Sequence, residues 1–312
     1  MDYYRNTSYW KKYSAFLPEE LQYKDSRLPQ EEYWQWRHFN IHLDAMRNGE
    51  AAVKIIILHG AGGNGRIIGL FGNFLNSHGY EYIAPDLPGY GLTANQQKSN
   101  FEYSQWVDCI SDLIDEELLK DPRPIVLFGL SMGGMLAYQA AAKNKKVKGI
   151  IATTLADPRL QPVRDDLAKY AWQSRLGMPL LRIFKELTDS LSVPIKWLCK
   201  MERITNDSQF SKVFAEDPLA GGSKIKLRFL RTFMDFTPAI EPEEFSAAPL
   251  LFLQPAKDAW TAWETSRPFY NRLNCQKKMV ILDNCGHAPY EQPGVSVMRN
   301  EILQFLKTLH FT

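Results

Sequence analysis

The chain has 312 residues, 45% of them hydrophobic and 23% charged, and a formal net charge of only +2. This length allows a large core in one elaborated domain or two small ones. The near-balanced charge leaves no basic footprint for a nucleic-acid partner. No run reaches the ~20 apolar residues of a bilayer span. The opening Met1-Asp2-Tyr3-Tyr4-Arg5-Asn6 lacks an apolar signal-peptide run. The cysteines Cys109, Cys199, Cys275 and Cys285 show neither metal nor redox spacing. Reduced thiols in a cytoplasmic protein are the expectation.

Taken in chain order, residues 1–30 are an aromatic and charged N-terminal extension of no recognised pattern. Strand-like runs are expected near 35–43, 53–58, 80–84, 125–129, 148–153, 249–253 and 278–282. Helical runs fill about 66–78, 102–119, 132–143, 262–273 and 295–308. Such alternation predicts a mostly parallel, doubly wound α/β sheet with functional groups on loops at the carboxyl ends of its strands.

The rhythm breaks between Leu155 and Phe245, where no strand is evident and large apolar residues recur at helical spacing. This stretch reads as an inserted helical cap. The expected organisation is an extension over 1–30, core over 31–154, cap over 155–245 and core again over 246–312. Most apolar cap residues pack on the core. Trp172, Met178, Leu181, Phe184, Trp197 and Phe233 are candidates for lining a substrate pocket at the cap–core boundary. Lys and Arg scattered among acids on the cap read as a solvated surface, with transient contact to an anionic lipid surface as a lesser alternative.

The first glycine-rich loop follows the buried strand Val53–Leu58 and reads His59-Gly60-Ala61-Gly62-Gly63-Asn64-Gly65. It lacks Gly-Lys-Ser/Thr and does not fit Gly-x-Gly-x-x-Gly, which argues against a nucleotide cradle. The run Ile125–Gly129, Leu130, Ser131, Met132, Gly133 and Gly134 joins an apolar strand to a helix-forming segment through Gly-x-Ser-x-Gly. That order is the nucleophile elbow, which lifts a serine above a sheet on a sharp strand-to-helix turn. A serine hydroxyl needs a base and an orienting carboxylate, here expected in the order Ser, Asp or Glu, His.

Only His287 and His310 follow the elbow, and His310 lies in the amphipathic C-terminal tail. His287, on the loop after strand 278–282, is the candidate base. Asp258 leaves strand 249–253 and is the first candidate for the carboxylate, with Asp157 second and Asp283, suited to capping a turn, third. The backbone N–H groups of Ala61 and Met132 are the expected oxyanion donors. His59 is expected to order its loop. No metal or organic cofactor is implied.

These motifs resemble those of the α/β-hydrolases, and more narrowly the monoacylglycerol lipase and lysophospholipase-like serine hydrolases. The resemblance rests on His59-Gly60-Ala61-Gly62, on Asp86-Leu87-Pro88-Gly89-Tyr90-Gly91-Leu92-Thr93, where threonine replaces the usual serine, and on Leu130-Ser131-Met132-Gly133-Gly134. Asp217-Pro218-Leu219, followed by Lys224, Lys226 and Arg228, is similar to a segment near the end of that group's cap. The likeness spans roughly residues 50–310. One departure is Gln254-Pro255-Ala256-Lys257-Asp258, where the family usually has a glycine after the strand. The resemblance implies an α/β-hydrolase fold with an inserted helical cap and hydrolysis of a carboxylic ester through an acyl-enzyme. The expected partner is a small lipophilic ester or acyl molecule. Acyl-homoserine lactone hydrolysis, amidase or aminopeptidase activity and a non-enzymatic ligand sensor are alternatives on the same fold.

Overall fold

The computed structural model describes residues 2–97 and 100–309. Its main sheet contains β1 (Gln30–Trp36), β2 (Phe39–Met46), β3 (Lys54–Leu58), β4 (Glu81–Pro85), the two-residue β5 (Ala94–Asn95), β6 (Ile125–Gly129), β7 (Val147–Ala152), and, beyond the insertion, β10 (Leu250–Pro255) and β11 (Lys277–Leu282). The insertion adds β8 (Ser192–Pro194) and β9 (Lys224–Lys226). The main path runs β1-β2-β4-β3-β6-β7-β10-β11, with β5 pairing β2. The β1/β2 and β2/β4 pairs are antiparallel, and every pair from β4 to β11 is parallel. β3, β4, β6 and β10 are buried throughout, as strands covered on both faces are, and their runs are apolar apart from Lys54, Glu81 and Gln254. The fold is the α/β-hydrolase architecture.

Three local expectations need correction. The single strand anticipated at 35–43 is a hairpin, because Arg37 takes a positive φ of 52° and turns β1 back along β2. The helix anticipated at 66–78 is divided into Gly65–Ile68 and Leu70–Ser77 around Gly69. The insertion is not wholly helical, since β8 and β9 pair antiparallel through short segments with no apolar period of their own. Among the described residues, no helix is long and apolar enough to cross a membrane.

The N-terminal segment is bound into the structure by its tyrosines. Tyr4, Tyr9, Trp10 and Tyr13 are all buried. The Tyr4 hydroxyl donates to Asp86 Oδ2 at 2.8 Å, and the Tyr4 and Arg5 amides donate to Glu31. Tyr9 and Tyr13 both donate to Asp217 in the insertion, and Asn64 Nδ2 donates to the Tyr9 hydroxyl at 2.8 Å. Asn64 also caps the helix after the glycine loop, its Oδ1 accepting from the Ile67 amide at 3.0 Å. One run of aromatic residues therefore joins the sheet, the glycine loop and the insertion.

Beneath this segment lies a buried ionic network. His42 is 3.1 Å from Glu31 and 3.2 Å from Asp86, while Arg66 pairs with Asp44 and sits 3.3 Å from Glu31. Burial works against a charged His42, but Asp86, Glu31 and Asp44 outweigh it and raise its pKa to about 10. A folded value above the ordinary 6.5 means the imidazolium contributes its full stability below pH 6.5 and loses it as pH rises towards 10. Urea midpoints are expected to fall between about pH 7 and about pH 9.5, and His42→Gln should flatten that slope. An unchanged slope in the variant would assign the pH dependence to other groups.

Candidate active site

Ser131 lies between β6 and the helix Met132–Lys143 with φ 55° and ψ −128°, a conformation that L-residues avoid. Close packing enforces it. A Cβ on Gly129 would fall 2.0 Å from the Gly133 carbonyl oxygen, and one on Gly133 would fall 2.2 Å from that of Leu58. The Ser131 amide donates to Thr153 Oγ1 at 3.1 Å, anchoring the strained residue to the segment beyond β7. The side chain is thereby held clear of the sheet at the start of a helix, whose first N–H groups lack intrahelical acceptors.

Ser131 Oγ is 2.7 Å from His287 Nε2, and His287 Nδ1 is 2.9 Å from Asp258 Oδ2. Asp258 is almost fully buried. Its Oδ1 accepts from the Trp260 and Thr261 amides, both at 2.8 Å, and its Oδ2 accepts from Thr261 Oγ1 at 2.9 Å. Burial opposes ionisation of this carboxyl, but the His287 charge, the His287 hydrogen bond and the two amides hold it below the ordinary carboxylate range. The Trp260 ring lies over His287 with centroids 4.6 Å apart. The loop manages without a glycine because Ala256 and Lys257 donate their amides to the Leu282 and Cys285 carbonyls.

The rival carboxylates lie elsewhere. Asp157 is bound by Arg159 through both of its oxygens, with Arg272 3.9 Å away, and Asp283 is exposed at the end of β11. His310 lies outside the described residues. Gly60 packs against the elbow, where a Cβ would sit 2.9 Å from Ser131 Cβ and 3.2 Å from the Met132 nitrogen. Ala61, the next residue, therefore stands beside Met132 at the serine. His59 donates through Nδ1 to the Gly60 carbonyl at 2.8 Å and accepts the Leu87 amide through Nε2 at 3.0 Å. Burial depresses its pKa, so it remains neutral and ties the loop down.

A cavity of about 360 Å³ opens from Ser131, Ala61 and Met132 into the insertion. Trp172, Met178, Leu181 and Phe233 line it, together with Met135, Leu198, Phe229 and Trp260. Phe184 and Trp197 do not line it, and they are 49% and 61% exposed. The helix that carries Met178 and Leu181 inward ends at Ile183, so Phe184 falls in the turn beyond it. Trp197 closes a tight 3₁₀ turn in which Ile195 and Leu198, three residues apart, share the inward side. Sequence reading did not single out Thr261 or Thr153. Thr261 carried a signal, an Asp followed three residues later by a hydroxyl residue, the spacing of a side-chain-capped turn.

The fold and this serine–histidine–aspartate geometry define an α/β-hydrolase. Residues 49–293 match the family model described as serine aminopeptidase S33, Hydrolase_4, and the chain belongs to that family. A curated relative, phospholipase YtpA of Bacillus subtilis (strain 168), is 32% identical over 103 residues, covering 32% of this chain and 39% of the relative. The monoacylglycerol lipase of Paleococcus ferrophilus shares the fold with a TM-score of 0.69 at 21% identity, over 87% of this chain and 100% of that one. A soluble variant of the Saccharomyces cerevisiae monoglyceride lipase, in complex with a substrate analog, aligns with a TM-score of 0.75 at 16% identity, over 93% of this chain and 99% of that one.

The close packing at the elbow makes a stability prediction. Gly129→Ala places a Cβ against backbone that cannot rotate away, so a loss of about 3 kcal/mol or more is expected in denaturant unfolding. Gly49→Ala, where a Cβ meets nothing within 4 Å, should change stability by less than about 1 kcal/mol.

Proposed function

We propose that this protein is a serine hydrolase that cleaves carboxylic esters of lipophilic acyl groups through an acyl-enzyme. The observation carrying the proposal is the continuous Asp258–His287–Ser131 relay, with contacts of 2.9 and 2.7 Å, at the floor of an apolar cavity. Ser131 Oγ attacks the ester carbonyl as His287 Nε2 takes its proton. Asp258 keeps the imidazole oriented through Nδ1 and stabilises the imidazolium. The Ala61 and Met132 amides hold the oxyanion, and loss of one such donor typically costs about 3–4 kcal/mol in the barrier. His287 then protonates the departing alkoxide, and afterwards it activates the water that releases the acid.

The family description names an aminopeptidase, a reaction that needs an anionic partner for a substrate amine. Among the described residues, none of those lining the cavity is Asp or Glu, which favours an apolar acyl group over a peptide amine. In this reading residues 155–245 serve as the cap. Trp172 and Leu180 on the cavity rim, with the exposed Leu176, Ile183 and Leu187, suit transient contact with a lipid surface. The four free cysteines fit a reducing cytoplasm.

Intact-mass analysis after treatment with a fluorophosphonate should show one adduct on the wild type and none on Ser131→Ala; equal labelling of the two removes Ser131 as the nucleophile. Asp258→Asn should lower kcat on a p-nitrophenyl ester by about 10⁴. Asp157→Asn should leave turnover per folded molecule within a few-fold, and the reverse outcome would reassign the acid.

A further inference from the structure

A second, smaller cavity of about 50 Å³ also reaches Ser131 and Ala61, on the other side of the nucleophile. It lies between the glycine loop and the insertion, walled by Ile67, Ile68, Ile204, Phe210, Phe214 and Ala288. His287 lines this compartment and is not among the residues lining the large one. That asymmetry bears on which half of an ester goes where, an inference that rests on the ester-hydrolase reading above.

When Ser131 Oγ bonds to the carbonyl carbon, the proton from Oγ rests on His287 Nε2. The carbon–alkoxy bond can break only if that proton reaches the departing oxygen, which then leaves as the neutral alcohol. The alkoxy group must therefore lie within hydrogen-bond reach of His287, on the side of the small compartment. The acyl chain takes the large apolar cavity.

The small compartment restricts the alcohol by size and by polarity. A volume of about 50 Å³ leaves room for a group of one or two carbons. Few polar side chains face it. Ser131 and His287 are engaged in the reaction, both His59 nitrogens are bonded to backbone, and Tyr290 adds the remaining hydroxyl. A glycerol moiety would bring two free hydroxyls against a single remaining side-chain hydroxyl, that of Tyr290, and a buried hydroxyl without a partner is costly. We propose that the substrates are esters of a bulky apolar acid with a one- or two-carbon alcohol, and that Ile68 and Phe214 set the alcohol limit.

Initial rates on methyl decanoate, butyl decanoate, monodecanoylglycerol and decyl acetate test this, with fluorophosphonate labelling of the same preparation. Methyl decanoate is expected to exceed each of the other three by about tenfold or more in kcat/KM, the discrimination available to an apolar pocket. Ile68→Ala and Phe214→Ala should each raise the butyl-to-methyl ratio about tenfold. Leu181→Ala, in the large cavity, should leave that ratio unchanged. The ratio is internal to one preparation, so partial unfolding of a variant does not distort it. Preference for the glyceryl, butyl or decyl ester, or a ratio unmoved by both enlarging substitutions, overturns the proposal while a labelled Ser131 leaves the hydrolase reading standing. Absence of both labelling and ester turnover overturns both.

Discussion

The site depends on one steric constraint, the close approach of β6 and the helix that follows it. Glycines at 129 and 133 let two backbones pass at distances that no Cβ would tolerate, and the chain makes that turn with Ser131 at a strained positive φ. Strain of this kind typically costs about 1–3 kcal/mol and persists only where the surroundings over-determine it. Here the surroundings are parallel strands packed on both faces and the Thr153 hydroxyl beneath the Ser131 amide. The same turn sets the hydroxyl, the helix N-terminus and the Met132 amide together, so no later adjustment is needed to place any one of them.

Around that turn, rigidity is supplied by buried polar groups as well as by apolar packing. Asp258 accepts two amides and a hydroxyl, which leaves its carboxylate one orientation towards His287. Asp86 plays a comparable structural part on the opposite side, accepting from the Gly65 and Leu92 amides and from Tyr4. Gly91 is required there because a Cβ would fall 2.2 Å from the Asp86 carboxylate. Thr93, in place of the family's usual serine, still donates to the Asp86 carbonyl and accepts the His42 amide. The extra methyl group leaves both hydrogen bonds intact.

The N-terminal segment shows how a region without a recognisable motif can shape a site. Its tyrosines reach Asp86, Asn64 and Asp217, residues separated from them by 55 to 208 positions in the chain. Through Asn64 they touch the helix cap immediately after the glycine loop, and through Asp217 they touch the insertion that walls both cavities. The Asp217-Pro218-Leu219 segment, noticed in the sequence only as a likeness, is thereby the anchor between the insertion and the N-terminus.

The sequence by itself determined the parallel core, the elbow, and Ser131 and His287 as candidates, because mainly apolar strands and glycine turns are local consequences of local composition. The places of β6, β7, β10 and β11 followed from the same periodicity. Tertiary structure alone decided which carboxylate meets His287, since Asp157 and Asp258 both leave strand ends and differ only in what surrounds them: arginines in one case, backbone amides and an imidazole in the other. It alone decided which residues of the insertion line the cavity, because a helix ending at Ile183 and a 3₁₀ turn at Trp197 changed the phase that apolar spacing implied. Periodicity records which side of an element is apolar; what that side faces is decided by contacts between residues far apart in the chain.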